Sequence, residues 1–314
     1  MEVESSTQAQ TYRAALTSIQ QLVHIEEHVK NYRPQILVLT GLPNTRPALV
    51  DFAYLICKNN SLMVCGNVVE QERLTFEMRS NLQQKAYRYL RFTNIKGFCS
   101  VADNSNLHTG VAAMLGLTGV GKVKPNILMM GYKNDWLTCD RNSLDQYVLT
   151  IHTGFEMNVS VVILRLKEGL DCSGIIADID DLILKAPTKK AKENSVCLLL
   201  QFKLKFDPLR KEGPRKTRRK RKTKTLLEGN QLPKSVLNSI ILFQRKQKKD
   251  TIDIWWLSDD GGLTLLLPVI INRRSNWSET KLRIFCTASG VHELENEQKG
   301  YESNFYLRKD YLIK

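Results

Sequence analysis

The sequence predicts an α/β protein of the Rossmann-like or universal-stress-like class, with a parallel sheet and helices on its faces. Two observations support this fold. Five short apolar runs alternate with stretches of helical spacing between residues 35 and 166. The same alternation resumes after residue 250, but it stops after one strand–helix–strand unit, so a second α/β unit is expected to be incomplete.

The elements follow in order along the chain. Apolar residues at helical spacing predict a long N-terminal helix over 7–31, which Ser5, Ser6 or Thr7 could cap and Pro34 ends. The strands of the first domain are predicted at 35–41, 61–69, 96–102, 126–131 and 159–166. The helices between them are predicted at 45–60, 71–92, 104–118 and 141–154. In the second unit, strands at 251–258 and 281–288 flank a helix at 262–273 that Pro268 bends or delays.

These elements predict four regions. A connecting helix occupies 1–33, a first α/β domain 34–172, a linker 173–250 and a partial second α/β domain 251–314. Within the linker, the segment 207–226 is expected to be disordered.

The net charge of +14 is concentrated in residues 209–225, which contain ten Lys or Arg and one Glu. A solvated linker and a contact with anionic lipid or an acidic partner both remain open for this tract. No specific nucleic-acid partner is expected, because the tract has no interleaved aromatic residues and its phosphate contacts would be non-specific.

Composition excludes several classes of protein. The longest apolar run, 263–271, contains Pro268 and is far shorter than the ~20 residues that span a bilayer. The N-terminus MEVESSTQAQ is too polar for a signal peptide. The seven cysteines have no CxxC spacing and lie in or beside apolar segments, which indicates core thiols in a reducing compartment. His24 and His28 lack a third metal ligand, and no catalytic constellation is evident, so we expect neither a metal site nor an enzyme.

The stretch GLTGVGKV (116–123) lies within one residue of a phosphate-binding P-loop. In a P-loop the glycines precede a helix, whereas here a predicted helix ends near Leu117 and a strand begins near Asn126. Val123 also replaces the hydroxyl residue that holds magnesium. The sequence therefore predicts a turn between a helix and a strand, with glycines at the helix C-terminus.

The turns that follow the first and fourth strands are better candidates for a nucleotide site, because open α/β sheets bind ligands at the carboxyl ends of their strands. The candidate residues are Thr40, Gly41, Arg46, Gly131 and Lys133. Arg46 could hold a phosphate near a helix N-terminus, and Lys133 could assist. The structural alternative is that Asn44 or Thr45 caps the helix, Arg46 is solvated and Trp136 belongs to the core.

Five blocks of sequence, in order, resemble the cytosolic C-terminal domain of cation–chloride cotransporters, and TGLPNTRPAL is similar to the sodium-coupled Na-K-Cl and Na-Cl branch. The blocks are SSTQAQTYRAAL (5–16), HVKNYRPQILVLTGLPNTRPAL (28–49), VKPNILMMGYKNDW (123–136), VVILRLKEGLD (161–171) and IDIWWLSDDGGLTLLLP (252–268). The final segment, VHELENEQKGYESNFYLRKDYLIK, departs from the family pattern.

This resemblance implies a regulatory and dimerising domain on the cytosolic face of a membrane, attached to a transmembrane transporter domain that moves sodium, potassium and chloride. We expect a soluble fragment that forms a homodimer, lacks the transmembrane region and serves chloride and cell-volume homeostasis. Some relatives bind adenine nucleotide in this domain, so ATP is a candidate ligand of the two turns. The alternative is a free-standing universal-stress-like protein that binds adenine nucleotide.

Overall fold

In the computed structural model, which describes residues 2–173, 241–247, 250–256, 262–286 and 312–313, the chain forms two compact units. The first unit contains the described residues up to 173. The second contains the described residues from 241 onward. The predicted basic tract 209–225 and most of the predicted linker lie outside the described residues.

The first unit alternates strands with helices, as the apolar periodicity predicts. Its helices are α1 (Glu2–Val23), α2 (Pro47–Cys57), α3 (Phe76–Phe92), α4 (Leu107–Leu117) and α5 (Arg141–Glu156). Its strands are β1 (Ile36–Leu39), β2 (Met63–Val69), β3 (Phe98–Asp103), β4 (Ile127–Gly131) and β5 (Ser160–Leu164). Polar caps mark two helix starts: Thr75 accepts a hydrogen bond from the Met78 N–H, and Asp140 accepts one from the Asn142 N–H.

The five strands form one parallel sheet in the order β3-β2-β1-β4-β5. This arrangement confirms the predicted Rossmann-like α/β class. From β1, the chain adds β2 and β3 on one side of the sheet and then β4 and β5 on the other side. The strand order therefore reverses between β1 and β4. At such a reversal the turns after the two strands meet at the carboxyl edge of the sheet.

The core lies on both faces of the central strands. Every residue of β1 is buried, as a strand with helices over both faces must be. On one face, α4 and α5 cover a cluster of apolar side chains from the sheet. Its buried members are Leu37, Leu39, Val64, Val111, Met114, Leu115, Leu128, Met130 and Val159. On the other face, α2 packs on β1 and β2, and α3 packs on β3.

Four of the described cysteines are core thiols, as the sequence predicts. Cys57, Cys65, Cys99 and Cys172 are buried as thiols. Cys65 and Cys99 are register partners on β2 and β3. Their hydrogen bond, together with burial, raises the pKa of the Cys65 thiol well above its ordinary value.

The N-terminal helix ends earlier than the predicted residue 31. α1 stops at Val23, and a separate 3₁₀ turn follows at Val29–Asn31. The last turn of α1 tightens, because the N–H groups of His24 and Ile25 bond to carbonyls three residues back. The ammonium of Lys122 then donates to the Ile25 carbonyl, which holds this part of the chain against the α4–β4 turn.

The GLTGVGKV segment is the predicted helix-to-strand turn. α4 ends within it at Leu117, and Val120 and Val123 form a short antiparallel bridge before β4. Gly119 has a φ of +110° and Gly121 a φ of +57°. Glycine adopts such left-handed conformations at low cost, so the role of these two glycines is to allow the backbone to make the turn.

The second unit contains β6 (Thr251–Trp256), α6 (Leu263–Asn272), β7 (Lys281–Cys286) and β8 (Leu312–Ile313). The strands are parallel in the order β6-β7-β8. α6 begins after Gly262 and includes Pro268. Residues 241–247, which belong to the predicted linker, contact this unit: Phe243 stacks on Trp277, with ring centroids 6.1 Å apart.

Candidate functional site

The structure brings the two predicted turns to the same edge of the sheet. β1 and β4 are hydrogen-bonded neighbours, with Val38 opposite Met129. Thr40 and Gly41 directly follow β1, and Lys133 lies two residues beyond the end of β4 at Gly131. The predicted site residues therefore lie at the topological switch point, where α/β sheets bind ligands.

The backbone amides of the β1 turn are already paired. The N–H groups of Thr40 and Gly41 both donate to the Gly66 carbonyl of β2, at 3.2 Å each. Thr40 is fully buried, and its hydroxyl donates to the Gly41 carbonyl at 2.8 Å. The φ of Gly41 is +63°. These amides are thus turned toward the sheet, and they do not form the outward-facing cradle that a phosphate needs.

Arg46 occupies the N-cap position of α2, with Pro47 as the first helical residue. The prediction that Asn44 or Thr45 is the cap is therefore wrong. The Thr45 hydroxyl donates to the Leu42 carbonyl at 2.8 Å, so it closes the turn instead. The Arg46 guanidinium reaches back to the Leu39 carbonyl at 3.4 Å, and it is half-buried at the edge of the sheet. Its position suits an anion, because a cation and a helix N-terminus lie together there.

The β4 turn is held by its own side chains. The Lys133 ammonium lies 3.3 Å from an Asp135 carboxylate oxygen and donates to the Ser143 hydroxyl at 3.0 Å. The Tyr147 hydroxyl donates to the Gly131 carbonyl at 3.1 Å, and burial raises the pKa of this phenol. Trp136, which the structural alternative places in the core, is 47% exposed.

The chain after β5 crosses this edge and connects the two turns. Leu170 is buried beside Gly131, where an added Cβ would lie 2.8 Å from the Leu170 Cδ1. Two residues later, the Cys172 N–H donates to the Thr45 carbonyl at 2.8 Å. We call residues 165–172 the strap. Arg165, at its start, places its guanidinium 4.6 Å from the centre of the Tyr132 ring.

Sequence reasoning identified the two turns but missed the strap. Leu170 and Cys172 are ordinary apolar positions, so no spacing or motif distinguishes them. What they contact depends on the path of the chain after β5. The available signal was Gly169, whose φ of +82° turns the chain back over the sheet.

At this edge of the sheet, the chemistry that the side chains offer is electrostatic binding of an anion by the Arg46 guanidinium. In the described parts of the chain, no group of three or more His, Cys, Asp or Glu side chains is placed to hold a metal ion. No helix in those parts combines the length and apolar composition that a membrane span needs. Nucleotide binding at the five predicted residues stays a prediction.

Comparison with known proteins places the chain beside a family of transporters. A family model for solute carrier family 12 matches residues 46–203 and 201–306. The chain is 39% identical over 332 residues to the bumetanide-sensitive sodium-(potassium)-chloride cotransporter of Manduca sexta, with 94% of this chain and 31% of the relative covered.

Two human relatives give the same result. Solute carrier family 12 member 2 is 37% identical over 300 residues, covering 90% of this chain and 25% of the relative. Solute carrier family 12 member 1 is 35% identical over 307 residues, covering 94% of this chain and 28% of the relative. The chain thus spans between a quarter and a third of the length of these relatives.

Proposed function

Because the chain belongs to solute carrier family 12, we propose that it is the cytosolic regulatory and dimerisation domain, or a fragment of it, of a sodium–potassium–chloride cotransporter. The observation that carries the proposal is the similarity to cotransporters over 90% or more of this chain. The Manduca sexta relative is named as a cotransporter, so we propose no enzymatic role.

In this proposal the chain supports coupled transport without forming the ion pathway. The pathway belongs to the parts of the relatives that this chain does not match. The domain lies at the cytosolic face of the membrane, joined to those parts, and influences chloride and cell-volume homeostasis through them.

The exposed face of α1 supports self-association. Tyr12 is 70% exposed, Leu16 41% and Val23 51%, and Ile19 between them is partly exposed. Their spacing of four, three and four residues matches the alternating repeat of a coiled-coil seam. We call these four residues the α1 stripe.

A second copy is the proposed occupant of this stripe. Burying a Leu or Ile side chain fully is worth ~1.5–3 kcal/mol, so a few such residues from each copy can stabilise a helix pair. The C-terminal end of α1 is anchored to the rest of the first unit, because Val23, the last residue of the stripe, lies beside Gly121. A pair formed through α1 would therefore be held close to the first unit of each copy.

The free-standing universal-stress-like alternative is less well supported, because the family model and the relatives extend beyond the Rossmann-like unit into the second unit. Anionic lipid or an acidic protein as the partner of the basic tract 209–225 stays a prediction.

A chimera tests the proposal. The matching region of the Manduca sexta cotransporter is replaced by this chain, and bumetanide-sensitive, chloride-dependent rubidium uptake is measured in cells. We expect the chimera to transport more rubidium than the cotransporter with that region deleted, and the chain expressed alone to add no uptake. Equal uptake by the chimera and the deletion would contradict the proposal.

A further inference from the structure

One side of α5 carries a row of apolar side chains that the described structure leaves partly exposed. Leu144, Val148, Ile151 and Phe155 recur at spacings of four, three and four residues, which places them in one line along the helix. Val148 is 42% exposed and Phe155 62%. We call these four residues the α5 line. Contiguous apolar side chains that stay exposed on a folded protein mark an interaction surface.

The α5 line faces away from α4 and lies at the outer edge of the sheet. α5 contacts α4 through Gln146, whose Oε1 lies 2.8 Å from the His108 Nδ1. Val148 is two residues further on, so its side chain leaves the helix about 200° around the axis from Gln146. Gly154 lies between these two directions, and a Cβ added there would lie 2.7 Å from the Val161 Cγ2 of β5. The line is therefore on the far side of β5 from α4.

β5 adds one more apolar residue to this side of the first unit. It is the last strand on its side of the described sheet. Because side chains alternate along a strand, Val161 and Ile163 both point to the face of the sheet that α5 covers. Val161 packs against the core cluster, whereas Ile163 is 42% exposed. We call the α5 line together with Ile163 the α5–β5 face.

The charges beside this face make α5 complementary to a second copy of itself. Arg141 begins the helix and Glu156 ends it, and both are exposed. Neither forms an ion pair with another described residue. They lie on the same flank of the α5 line, about 60° apart around the axis. When two such helices lie antiparallel, Arg141 of each copy falls beside Glu156 of the other.

We propose that the α5–β5 face binds the same face of a second copy about a two-fold axis. The two α5 helices lie antiparallel, their apolar lines pack together, and Arg141 of each copy pairs with Glu156 of the other. The outer edges of the two β5 strands come together beneath the helices. The occupant is a second copy, because a surface that meets itself about a two-fold axis must complement itself in charge, and this flank of α5 does.

The α5–β5 face is separate from the α1 stripe, so a chain that uses both surfaces can join more than two copies. With the stripe disabled by Leu16→Glu and Ile19→Glu, the assemblies become smaller and stop at the dimer that α5 holds. The inference deepens the dimerisation part of the proposed function and rests on it, and it is independent of the transport part.

Sedimentation of the full chain carrying Leu16→Glu and Ile19→Glu tests the contact. We expect a dimer whose Kd rises about tenfold with Arg141→Glu, because two ion pairs become two repulsive contacts. Glu156→Arg should weaken the dimer to the same extent. A mixture of these two variants should form a heterodimer as tight as the original dimer, since every charge then meets its opposite. Both changes favour the helix dipole, so a weaker dimer does not reflect unfolding of α5.

A matched pair of substitutions in the same background tests the apolar part of the contact. Val148→Glu places a carboxylate in the α5 line and should raise the Kd at least about tenfold. Leu117→Glu makes the same change at a residue that is 84% exposed at the end of α4, and it should leave the Kd unchanged.

Three results would overturn the proposal. They are a monomer at all concentrations in the background that lacks the α1 stripe, a dimer that tolerates Val148→Glu, and a mixture of the two charge variants that associates no better than either alone. None of these measurements involves ion uptake. Failure of the chimera beside an intact α5 dimer would therefore contradict the transport proposal alone.

Discussion

Leu170 lies against Gly131 so closely that a Cβ on the glycine would fall 2.8 Å from the Leu170 Cδ1. This contact brings the strap over the switch point of the sheet, the place where a Rossmann-like unit would bind a nucleotide. The chain itself therefore occupies part of the crevice between the β1 and β4 turns. A nucleotide must compete with a buried leucine.

The nucleotide proposal is tested by removing that leucine. We expect Leu170→Ala to bind ATP about tenfold more tightly than the unaltered chain, since a ligand no longer pays ~1.4 kcal/mol to displace the side chain. Adding Arg46→Ala should remove the gain, because the guanidinium is the cation at the edge. Calorimetry measures both. Leu149→Ala, at an exposed position on α5, is the control, and no binding by any of these proteins would end the nucleotide proposal.

The glycines of GLTGVGKV are predicted to differ in importance. A Cβ on Gly119 would lie 2.4 Å from the Val123 carbonyl oxygen, and the residue has a φ of +110°. Gly119→Ala should therefore lower the free energy of unfolding by ~2 kcal/mol or more. Gly116 is on the exposed side of α4, and among the described atoms outside its own helix backbone a Cβ added there would meet only the Met157 Cε, at 3.9 Å. Gly116→Ala should be neutral or stabilise by up to ~1 kcal/mol.

Chemical denaturation of the two alanine variants measures this difference. If Gly119→Ala unfolds at the same denaturant concentration as Gly116→Ala, the turn does not depend on its backbone geometry.

The α1 stripe predicts concentration-dependent association. Replacing Leu16 and Ile19 with Glu places charges within the stripe and should shift the chain toward monomer in sedimentation experiments. The matched control is Gln10→Glu, an added charge on the opposite side of the helix, which should associate like the unaltered chain. A strict monomer at all concentrations of the unaltered chain would count against dimerisation.

The Asp103 carboxylate is expected to stabilise the folded state by an amount that depends on pH. The Leu74 N–H and the Arg79 guanidinium bond to this carboxylate and lower its pKa below the ordinary 3.8. Because the folded pKa is depressed, the stabilisation is present above pH ~4 and is lost as the pH falls through the folded pKa. Asp103→Asn should lower the Tm at pH 7, and the difference from the unaltered chain should shrink toward pH 3.

Thermal unfolding across that pH range gives the answer. A difference in Tm that stays constant from pH 7 to pH 3 would show that the effect comes from packing rather than from the charge of Asp103.

Much of the first unit follows from short-range patterns in the chain. The buried run of β1, the helical spacing of α4 and the glycines that separate α4 from β4 each involve residues near one another in sequence. Such patterns identify strands, helices and turns, because burial of one face imposes a period of two or 3.6 residues. The same patterns place Thr40 and Lys133 at the ends of their strands.

The contacts that shape the candidate site are long-range. Which residue caps α2 depends on where Arg46 meets the end of β1. The end of α1 at Val23 contacts a turn that lies about a hundred residues further along the chain, at Gly121 and Lys122. The local periodicity of the sequence contains no information on these contacts between distant segments.

The sequence by itself thus determined the α/β class, the order of the elements, the identity of the GLTGVGKV turn and the family resemblance. Only the tertiary structure decided that Leu170 and Cys172 cover the switch point, and that the amides of Thr40 and Gly41 turn inward to Gly66. The physical reason is that hydrophobic periodicity records which face of an element is buried, whereas the identity of the covering residues depends on how distant segments pack together.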